Sequence, residues 1–364
     1  MKFVISGYYG FKNSGDDALL LSIANQIKKD YQNAKIVVLS NSPKRTAEEY
    51  GVNAVNRYNI FAIIWQIMTC DLLISGGGTL IQDKTSTKSL IYYLTIIKIA
   101  KIFRKKVMLY ANGIGPLRSF KNIEKTKSIL SDVDLITLRD NNSLAELEQI
   151  EVKKPFTEVT ADPVFLLKAD ENGSKVFENY NIPADKKLMC VSVRDWKENP
   201  KNFVKTIAEF CDYASSKYGI YTVFLPMQAS RDYEISLKIK NKMKSDATII
   251  GGKYPFETVL SLVSKMYLCV GMRLHSLIFS ASMLVPTLGI VYDPKIKGFL
   301  ADINEDKFVD VGDISVNVLE GFLDNICKNH EEIKRRMKYE IPKICRKAER
   351  NGELMRMLLD KGRK

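Results

Sequence analysis

Short apolar segments recur along the chain, and each is followed by glycine or polar residues and then by a segment of helical periodicity. These segments are β-branched and apolar on both faces, which is typical of parallel strands covered by helices. Between them, the segment Asp16–Lys29 places Leu19, Leu20 and Ile23 on one helical face. The first half of the chain therefore predicts a parallel sheet with these strands: Phe3–Ser6, Ile36–Leu39, Leu72–Ser75, Val107–Ala111, Leu135–Leu138 and Thr157–Thr160.

A polar stretch separates this series from a second one. Between residues 166 and 185 the apolar period is lost, and Asp170–Ser174 has the composition of a linker. The second series has strands Leu188–Val193, Thr222–Leu225, Thr248–Ile250, Leu268–Val270 and Thr287–Val291, and helices Phe203–Ser216, Phe256–Lys265, Val316–Lys328 and Glu331–Leu359. We predict an α/β protein of two Rossmann-like domains facing across a cleft, a GT-B-like plan. The domains are 1–172 and 173–314, and a C-terminal helical segment, 315–364, packs back on the first.

The formal net charge of +13 indicates an anionic partner. Nucleic acid is disfavoured, because there is no zinc-finger spacing, no aromatic RNP-like strand and no arginine-rich block. The six cysteines are scattered without a Cys-x-x-Cys pair, so we expect a reducing compartment and no structural metal. No secretory signal and no apolar stretch near the ~20 residues of a membrane span are present, so a cytoplasmic protein is expected.

The carboxyl ends of parallel strands are where such folds bind ligands. The first predicted strand leads into Asn13-Ser14-Gly15-Asp16-Asp17, which lacks the Gly-x-Gly-x-x-Gly dinucleotide pattern. Ser14 and Asp17 have the spacing of a helix capping box. Asp17 is therefore either a cap or, like Asp16, a carboxylate available to a ligand.

Two glycine-rich loops follow the next strands. Gly76-Gly77-Gly78-Thr79 comes after Leu72–Ser75, and Asn112–Arg118 comes after Val107–Ala111. Glycines allow a backbone to approach a ligand closely, although a tight turn without a ligand has the same composition. Arg118, and Arg194 after the Leu188–Val193 strand, add cations at strand ends, and several such arginines favour an anion site.

The segment Gly271–Ser276 holds one of the only two histidines of the chain, His275. It lies between a strand-like and a helix-like run, where a helix N-terminus suits an anion. Arg273 precedes it by two residues, and Lys295 or Lys297 follows the next strand. A buried structural histidine is the alternative, but the neighbouring cations favour an acid or base group among anion-binding residues.

These motifs, in this order, resemble the polysaccharide pyruvyl transferase family, and most nearly its CsaB type, over residues 1–310. The resemblance implies a GT-B-like fold and transfer of the pyruvyl group of phosphoenolpyruvate onto two hydroxyls of one sugar, forming a cyclic ketal. It also implies N-acetylmannosamine of a lipid-linked secondary cell-wall polymer precursor as acceptor, and a product that anchors surface-layer proteins.

The resemblance associates Arg273, Leu274, His275 and Lys295 with phosphoenolpyruvate, with Lys297 as the alternative lysine. Ketal formation needs a proton at the phosphoenolpyruvate methylene, and histidine is suited to supply it. No metal or cofactor is required, because side chains provide the cations. Our remaining site predictions are Ser276, Arg194 and Arg118 for the donor, Asp17 or Asp16 as base or sugar ligand, and Asn13, Gly76, Gly77, Gly78 and Thr79 for the acceptor.

Two other functions fit the same pattern. One is a GT-B glycosyltransferase that uses a nucleotide-sugar, and the other is a non-catalytic carbohydrate- or anion-binding module. The apolar stretches Asn59–Met68 and Leu90–Lys106 have two interpretations as well. They are either core-packing helices or, because the second carries several basic residues, segments that make peripheral contact with the anionic inner face of the cell membrane.

Overall fold

The computed structural model describes residues 1–84 and 86–360, which form two compact α/β units. The first unit consists of Met1–Leu166 with Cys345–Lys364, and the second of Leu167–Ile344. Residues 361–364, the end of the predicted segment 315–364, lie outside the described part of the chain. These units divide the chain at places other than the predicted boundaries after residues 172 and 314.

The first unit contains a wholly parallel sheet of seven strands in the order β3-β2-β1-β4-β5-β6-β7. The order reverses between β1 and β4, which is where open α/β sheets bind ligands. The strands are β1 Lys2–Tyr9, β2 Lys35–Ser40, β3 Asn53–Asn56, β4 Leu72–Gly76, β5 Lys106–Asn112, β6 Leu135–Leu138 and β7 Phe156–Val159.

Helices cover both faces of this sheet: α1 Ser14–Asp30, α2 Pro43–Tyr50, α3 Ile60–Met68, α4 Thr87–Ile102, α5 Phe120–Leu130 and α6 Asn141–Gln149, with a 3₁₀ turn at Pro163–Leu166. Successive residues of β1 enter separate clusters, because side chains alternate across a strand. Val4 packs in one cluster with Ile97 of α4, and Ile5 packs in the other with Leu20 of α1 and Met355 near the C-terminus.

The second unit contains a parallel sheet in the order β10-β9-β8-β11-β12-β13, which reverses between β8 and β11. Its strands are β8 Leu188–Ser192, β9 Tyr221–Phe224, β10 Ala247–Ile249, β11 Leu268–Gly271, β12 Thr287–Val291 and β13 Phe308–Asp310. Its helices are α7 Gly173–Asn179, α8 Phe203–Tyr218, α9 Ala229–Lys240, α10 Phe256–Ser264, α11 Leu274–Ser282, α12 Pro294–Asp302 and α13 Val316–Lys328, with a 3₁₀ turn at Val311–Asp313.

The last helix, α14 His330–Asp360, contributes to both units, since the chain passes from the second to the first after Ile344. Its C-terminal part is fixed to the first unit by polar contacts as well as by packing. Asn351 accepts a 2.8 Å hydrogen bond from Thr160, and Arg356 pairs with Asp30 at 2.7 Å. No helix of the described residues is long and apolar enough to cross a membrane.

The α/β architecture with two parallel sheets confirms the predicted fold class, but one predicted detail is wrong. The polar residues Asp170–Ser174 do not form an independent linker. Asp170 accepts a 2.6 Å hydrogen bond from Thr258 of α10, and α7 already begins at Gly173. A side-chain partner distant in the sequence orders these polar residues, and such a partner cannot be predicted from local composition.

Candidate functional site

The turn between β11 and α11 presents Arg273 and His275. The strand ends at Gly271 and the helix begins at Leu274, so Arg273 is the N-cap residue and His275 lies in the first turn. A Cβ on Gly271 would lie 2.6 Å from Leu277 and 2.7 Å from the Ser276 hydroxyl, so only glycine fits this tight turn. The backbone N–H groups of that first turn point away from the helix and favour an anion there.

Arg273 is held in place by α9. Its Nε donates to Asp232 Oδ2 at 3.0 Å, its Nη2 contacts Asp232 Oδ1, and Nη2 also donates to Gln228 Oε1 at 3.1 Å. Asp232 is fully buried and also accepts the backbone N–H of Gln228 at 2.8 Å. This two-point contact fixes the plane of the guanidinium and offsets its charge in part, so an anionic ligand would need further cations.

Those further cations come from the strands on either side of β11. Arg194 follows β8, and its Nη1 donates to the Tyr292 hydroxyl at 2.8 Å. Tyr292 itself follows β12, as does Lys295. Because β8, β11 and β12 are adjacent and parallel, their carboxyl ends meet at one edge of the sheet. The second unit thus gathers Arg194, Arg273 and Lys295 at one edge.

The two candidate lysines have different surroundings. Asp293 caps α12 by accepting the backbone N–H of Lys295 at 3.2 Å, which places Lys295, half-buried, in the first turn. Lys297 is exposed, and its Nζ lies 5.3 Å from the ring centre of Phe308 on β13. Lys295 is therefore the one held at the helix N-terminus.

Buried polar atoms without a hydrogen-bond partner occur at the end of β8 and in the segment that follows it. Among the described residues, these include Ser192 Oγ, Trp196 Nε1 and Asn199 Oδ1. The indole ring of Trp196 also packs against Arg194, with the guanidinium 5.0 Å from the ring centre. An unsatisfied buried polar atom costs about 1–3 kcal/mol, and a bound polar ligand or water would satisfy such atoms.

Leu274 and Ser276 face the protein interior. Leu274 is buried, and the Ser276 hydroxyl donates to the backbone carbonyl of Arg273 at 2.6 Å. Their side chains therefore stabilise the turn. His275 is half-exposed, and its ring lies 6.2 Å from that of Phe279 one turn further along the helix. His275 is thus the side chain of this turn that is neither fully buried nor fully exposed, and its Nε2 atom is enclosed by the protein.

In the first unit, the predicted capping box is wrong by one residue. The N-cap of α1 is Asn13, whose Oδ1 accepts the backbone N–H of Gly15 at 3.3 Å and whose Nδ2 donates to Asp16. Asparagine is as good an N-cap as serine, and here it precedes the predicted residue, Ser14. Asp16 is half-exposed at the helix start, whereas Asp17 is buried.

The triple-glycine loop lies against this helix start. Gly77 and Gly78 have φ of +65° and +71°, which residues other than glycine rarely adopt. A Cβ on Gly77 would meet Leu19 at 2.8 Å, and one on Gly78 would meet Asp16 Oδ1 at 2.9 Å. The loop needs glycine for both reasons, and the Asp16 carboxylate is its neighbour.

Thr79 leads to a residue that the sequence interpretation missed. Arg139, directly after β6, donates from Nη2 to the Thr79 hydroxyl at 2.8 Å and is nearly buried. A Cβ on Gly113 would lie 2.8 Å from that hydroxyl and 3.0 Å from Arg139 Nη2. Burial raises the pKa of neighbouring Asp162, which the positive charge of Arg139 opposes. The position of Arg139 directly after a strand is the sequence signal that could have identified it.

A second buried arginine braces the loop after β1. Arg57 donates from Nη1 to the Gly7 carbonyl at 3.1 Å, and its guanidinium lies 4.3 Å from the ring centre of Tyr92 and 5.2 Å from that of Phe11. Burial raises the pKa of adjacent Tyr93 to about 12. This cation–aromatic cluster fixes the loop that leads to Asn13.

Arg118 lies in the first unit, whereas Arg194, Arg273 and Lys295 lie in the second, and its contact with the donor stays a prediction. Its backbone N–H donates to Asp83 Oδ1 at 2.9 Å, and its side chain is exposed. Partial burial opposes ionisation of Asp83, but hydrogen bonds from Asn122 and from the backbone of Ser119 and Arg118 outweigh it and lower the pKa of the carboxyl. Asp83 thereby orders the loop that carries Arg118.

Comparison with solved structures gives the same fold for proteins of low sequence identity. The Anabaena protein Alr3699/HepE in complex with UDP-glucose matches with a TM-score of 0.67 at 10% identity, over 99% of this chain and 100% of that one. UDP-GlcNAc 2-epimerase from Neisseria meningitidis, bound to UDP-GlcNAc, matches with a TM-score of 0.62 at 14% identity, again over 99% and 100%. The whole described architecture is therefore GT-B-like.

Sequence comparison is more specific. The amylovoran biosynthesis protein AmsJ of Erwinia amylovora is 21% identical over 286 residues, which is 73% of this chain and 68% of that protein. The family model described as polysaccharide pyruvyl transferase matches residues 13–294, from the N-cap Asn13 to Pro294. This match spans most of the chain and includes the glycine loop and the Arg273–His275 turn. The chain belongs to the polysaccharide pyruvyl transferase family.

Proposed function

We propose that this protein transfers the pyruvyl group of phosphoenolpyruvate to two hydroxyls of one sugar, forming a cyclic ketal and releasing phosphate. Family membership supports the reaction class. The observation that carries the donor assignment is the edge of the second sheet, where Arg273 and His275 at the start of α11 lie between the strands that bear Arg194 and Lys295. We assign phosphoenolpyruvate to the second unit and the acceptor to the first.

Phosphoenolpyruvate carries a phosphate and a carboxylate. Arg273, whose orientation is fixed by Asp232, offers a planar donor suited to either group. Arg194 and Lys295 supply the additional positive charge, and the first-turn N–H groups of α11 add the partial charge of a helix N-terminus. Side-chain cations that are positioned before the ligand arrives lower the cost of binding it.

His275 is the proposed proton donor. Its proton goes to the methylene carbon of phosphoenolpyruvate, and the adjacent carbon becomes oxocarbenium-like. A sugar hydroxyl oxygen bonds to that carbon, the carbon–oxygen bond to phosphate breaks, and a second hydroxyl closes the ring. The two hydroxyl protons that are lost balance the proton taken up by the methylene and the one carried away by the phosphate. General acid catalysis of this kind is typically worth 10²–10⁴-fold in rate.

The first unit offers one carboxylate better placed for the acceptor than the other. Asp16 is half-exposed and adjoins Gly78, whereas Asp17 is buried. We therefore assign Asp16 to hydrogen bonding or deprotonation of a sugar hydroxyl, and Asp17 to stabilising the helix start. Asn13, Gly76–Gly78 and Thr79 form the loops beside it, and Arg139 joins them through Thr79.

For the acceptor, resemblance to the CsaB type supports N-acetylmannosamine in a lipid-linked precursor of secondary cell-wall polymer. The protein would then act at the inner face of the cell membrane, where such a precursor is assembled, and its product would anchor surface-layer proteins. Lipid linkage also agrees with the exposed apolar surface described below.

Acceptor-dependent phosphate release tests this function. The protein is incubated with phosphoenolpyruvate and a lipid-linked N-acetylmannosamine-containing disaccharide, and both released phosphate and the mass of the acceptor are followed. We expect phosphate only when acceptor is present, with the acceptor gaining one pyruvyl ketal. In a parallel reaction, a nucleotide-sugar takes the place of phosphoenolpyruvate. Transfer of its sugar to the acceptor would replace the proposal by the glycosyltransferase function. Binding of phosphoenolpyruvate without turnover would replace it by the binding module.

A further inference from the structure

Helix α3 exposes an unusually apolar face. Its nine residues, Ile60–Met68, contain no charged side chain. Ile63 and Ile67 are buried against the sheet, and Phe61, Trp65 and Met68 follow one another at four- and three-residue spacing on the outer side. The relative exposure of Phe61 is 84% and that of Trp65 is 63%. A helix that is apolar all round belongs in a core or against a lipid phase, and one face of α3 has no such cover within its unit.

The neighbouring helix continues this surface with basic residues. α4 packs against α3, and Ile97 of α4 shares a core cluster with Ile63. The inner face of α4 is buried, so the core interpretation was correct for most of that segment. Its outer face exposes Lys98 and Ile102, and Arg104 follows at the helix end with its side chain exposed.

A basic cluster borders the C-terminal ends of both helices. α3 and α4 lead into β4 and β5, which are adjacent and parallel, so both helices end at the amino edge of the sheet. Lys2, Lys35 and Lys105 meet at this edge. Partial burial, with the positive charges of Lys35 and Lys105, lowers the pKa of the Lys2 ammonium. Asp71 balances part of this charge by accepting the backbone N–H of Lys2 at 2.7 Å.

We propose that the outer surface of α3 and α4, with the bordering basic residues, docks the protein on an anionic membrane surface. Phe61, Trp65 and Met68 enter the boundary between headgroups and acyl chains, where tryptophan and phenylalanine partition well. Lys98, Arg104 and Lys105 meet the anionic headgroups. This surface lies on the first unit alone, and its occupancy does not depend on the proposed reaction.

Charge and helix length favour a membrane over a protein partner. Nine residues cannot span a bilayer, which needs ~20, but they suffice to lie in the interface with the apolar face down. The basic residues at the rim suit a surface of continuous negative charge, in agreement with the formal net charge of +13. A second copy of this chain would bring the same positive rim against itself.

Vesicle co-sedimentation of the full-length protein tests the proposal. The probes are vesicles of phosphatidylcholine with phosphatidylglycerol, and of phosphatidylcholine alone, without phosphoenolpyruvate or acceptor. We expect binding to the anionic vesicles that falls at least tenfold between low and high salt. The double variant Phe61→Ser/Trp65→Ser should lose binding at least tenfold, and Arg104→Glu/Lys105→Glu should lose it for anionic vesicles.

Phe120→Ser is the matched control, because Phe120 is 78% exposed on the same unit but begins α5. It should bind anionic vesicles like the unaltered protein. In a Trp196→Phe background, Trp65 fluorescence offers a second readout, quenched by brominated acyl chains if the indole enters the membrane. Equal binding by the Phe61→Ser/Trp65→Ser variant would overturn the proposal, as would failure to bind anionic vesicles at low salt. A dimer abolished by those same substitutions would instead assign the surface to a second copy and equally overturn it.

Discussion

Arg273 and Asp232 form a buried ion pair in which Nε and Nη2 of the arginine contact different oxygens of one carboxylate. The two residues lie on different elements, the N-cap of α11 and the first turn of α9. Asp232 therefore acts on the site through Arg273: it aims the guanidinium, and Arg273 is the residue proposed to touch phosphoenolpyruvate.

Asp232→Asn tests that positioning role. The amide keeps the shape but loses the charge, so we expect the free energy of unfolding to fall by about 1–3 kcal/mol and the KM for phosphoenolpyruvate to rise more than kcat falls. Urea unfolding and steady-state kinetics measure the two effects. Glu234→Gln, on an exposed position of the same helix, should change neither. An unchanged KM in Asp232→Asn would show that Asp232 does not orient Arg273 for binding of phosphoenolpyruvate.

The two histidines provide a matched pair for the proton donor. His275→Gln should lower kcat by about 10²–10⁴-fold, the usual worth of a general acid, while binding of phosphoenolpyruvate persists. His330→Gln should leave kcat near its original value, because His330 stacks on Tyr267 with ring centres 3.8 Å apart and lies on α14. Equal losses in the two variants would mean that His275 acts only as a structural residue.

Gly78→Ala tests the contact between the glycine loop and Asp16. The new Cβ would meet the Asp16 carboxylate at 2.9 Å and would also strain a φ of +71°. Gly219→Ala has the same backbone strain, at φ +64°, with nothing within 4 Å of the new Cβ. We expect Gly219→Ala to cost about 1–2 kcal/mol of stability with normal turnover, and Gly78→Ala to cost more and to lower kcat/KM. Identical behaviour would show that the loop makes no functional contact.

Asp83 makes the loop around Arg118 sensitive to acid. Its pKa is lowered in the folded state, so its stabilising contribution is complete above the ordinary aspartate pKa of about 3.9 and disappears as the pH falls through the lower folded value. Asp83→Asn should therefore reduce stability at pH 7 and make little difference in strong acid. Unfolding curves of both proteins, measured from pH 7 down to strong acid, test this prediction. A variant that is less stable only in strong acid would contradict it.

The sequence pattern predicts both sheets because buried parallel strands need continuous apolar runs, and these are local. The strands it missed are at sheet edges, where this need is weakest. β3 reads Asn-Ala-Val-Asn and is half-exposed, and β13 has only three residues. The capping box was off by one because Asn13 and Ser14 are both good N-caps, and only the position of the helix start decides between them.

The candidate site was predictable where strand order alone brings residues together, as for Arg273, Lys295 and Arg194. Contacts between distant side chains were not, because no spacing encodes them. Asp232 meets Arg273 across 41 residues, and Arg139 meets Thr79 across 60. For α3 the sequence left both a core helix and a membrane contact open, and only the fold shows which side is covered.

Transfer carried out in D2O tests the central claim most directly. The account requires a new proton on the methylene carbon of phosphoenolpyruvate and cleavage of its carbon–oxygen bond to phosphate. We predict that the acceptor gains a ketal whose methyl group carries deuterium, with phosphate released in equal amount and only when acceptor is present. A product that retains a methylene carbon, or phosphate release that does not require the acceptor, would contradict it.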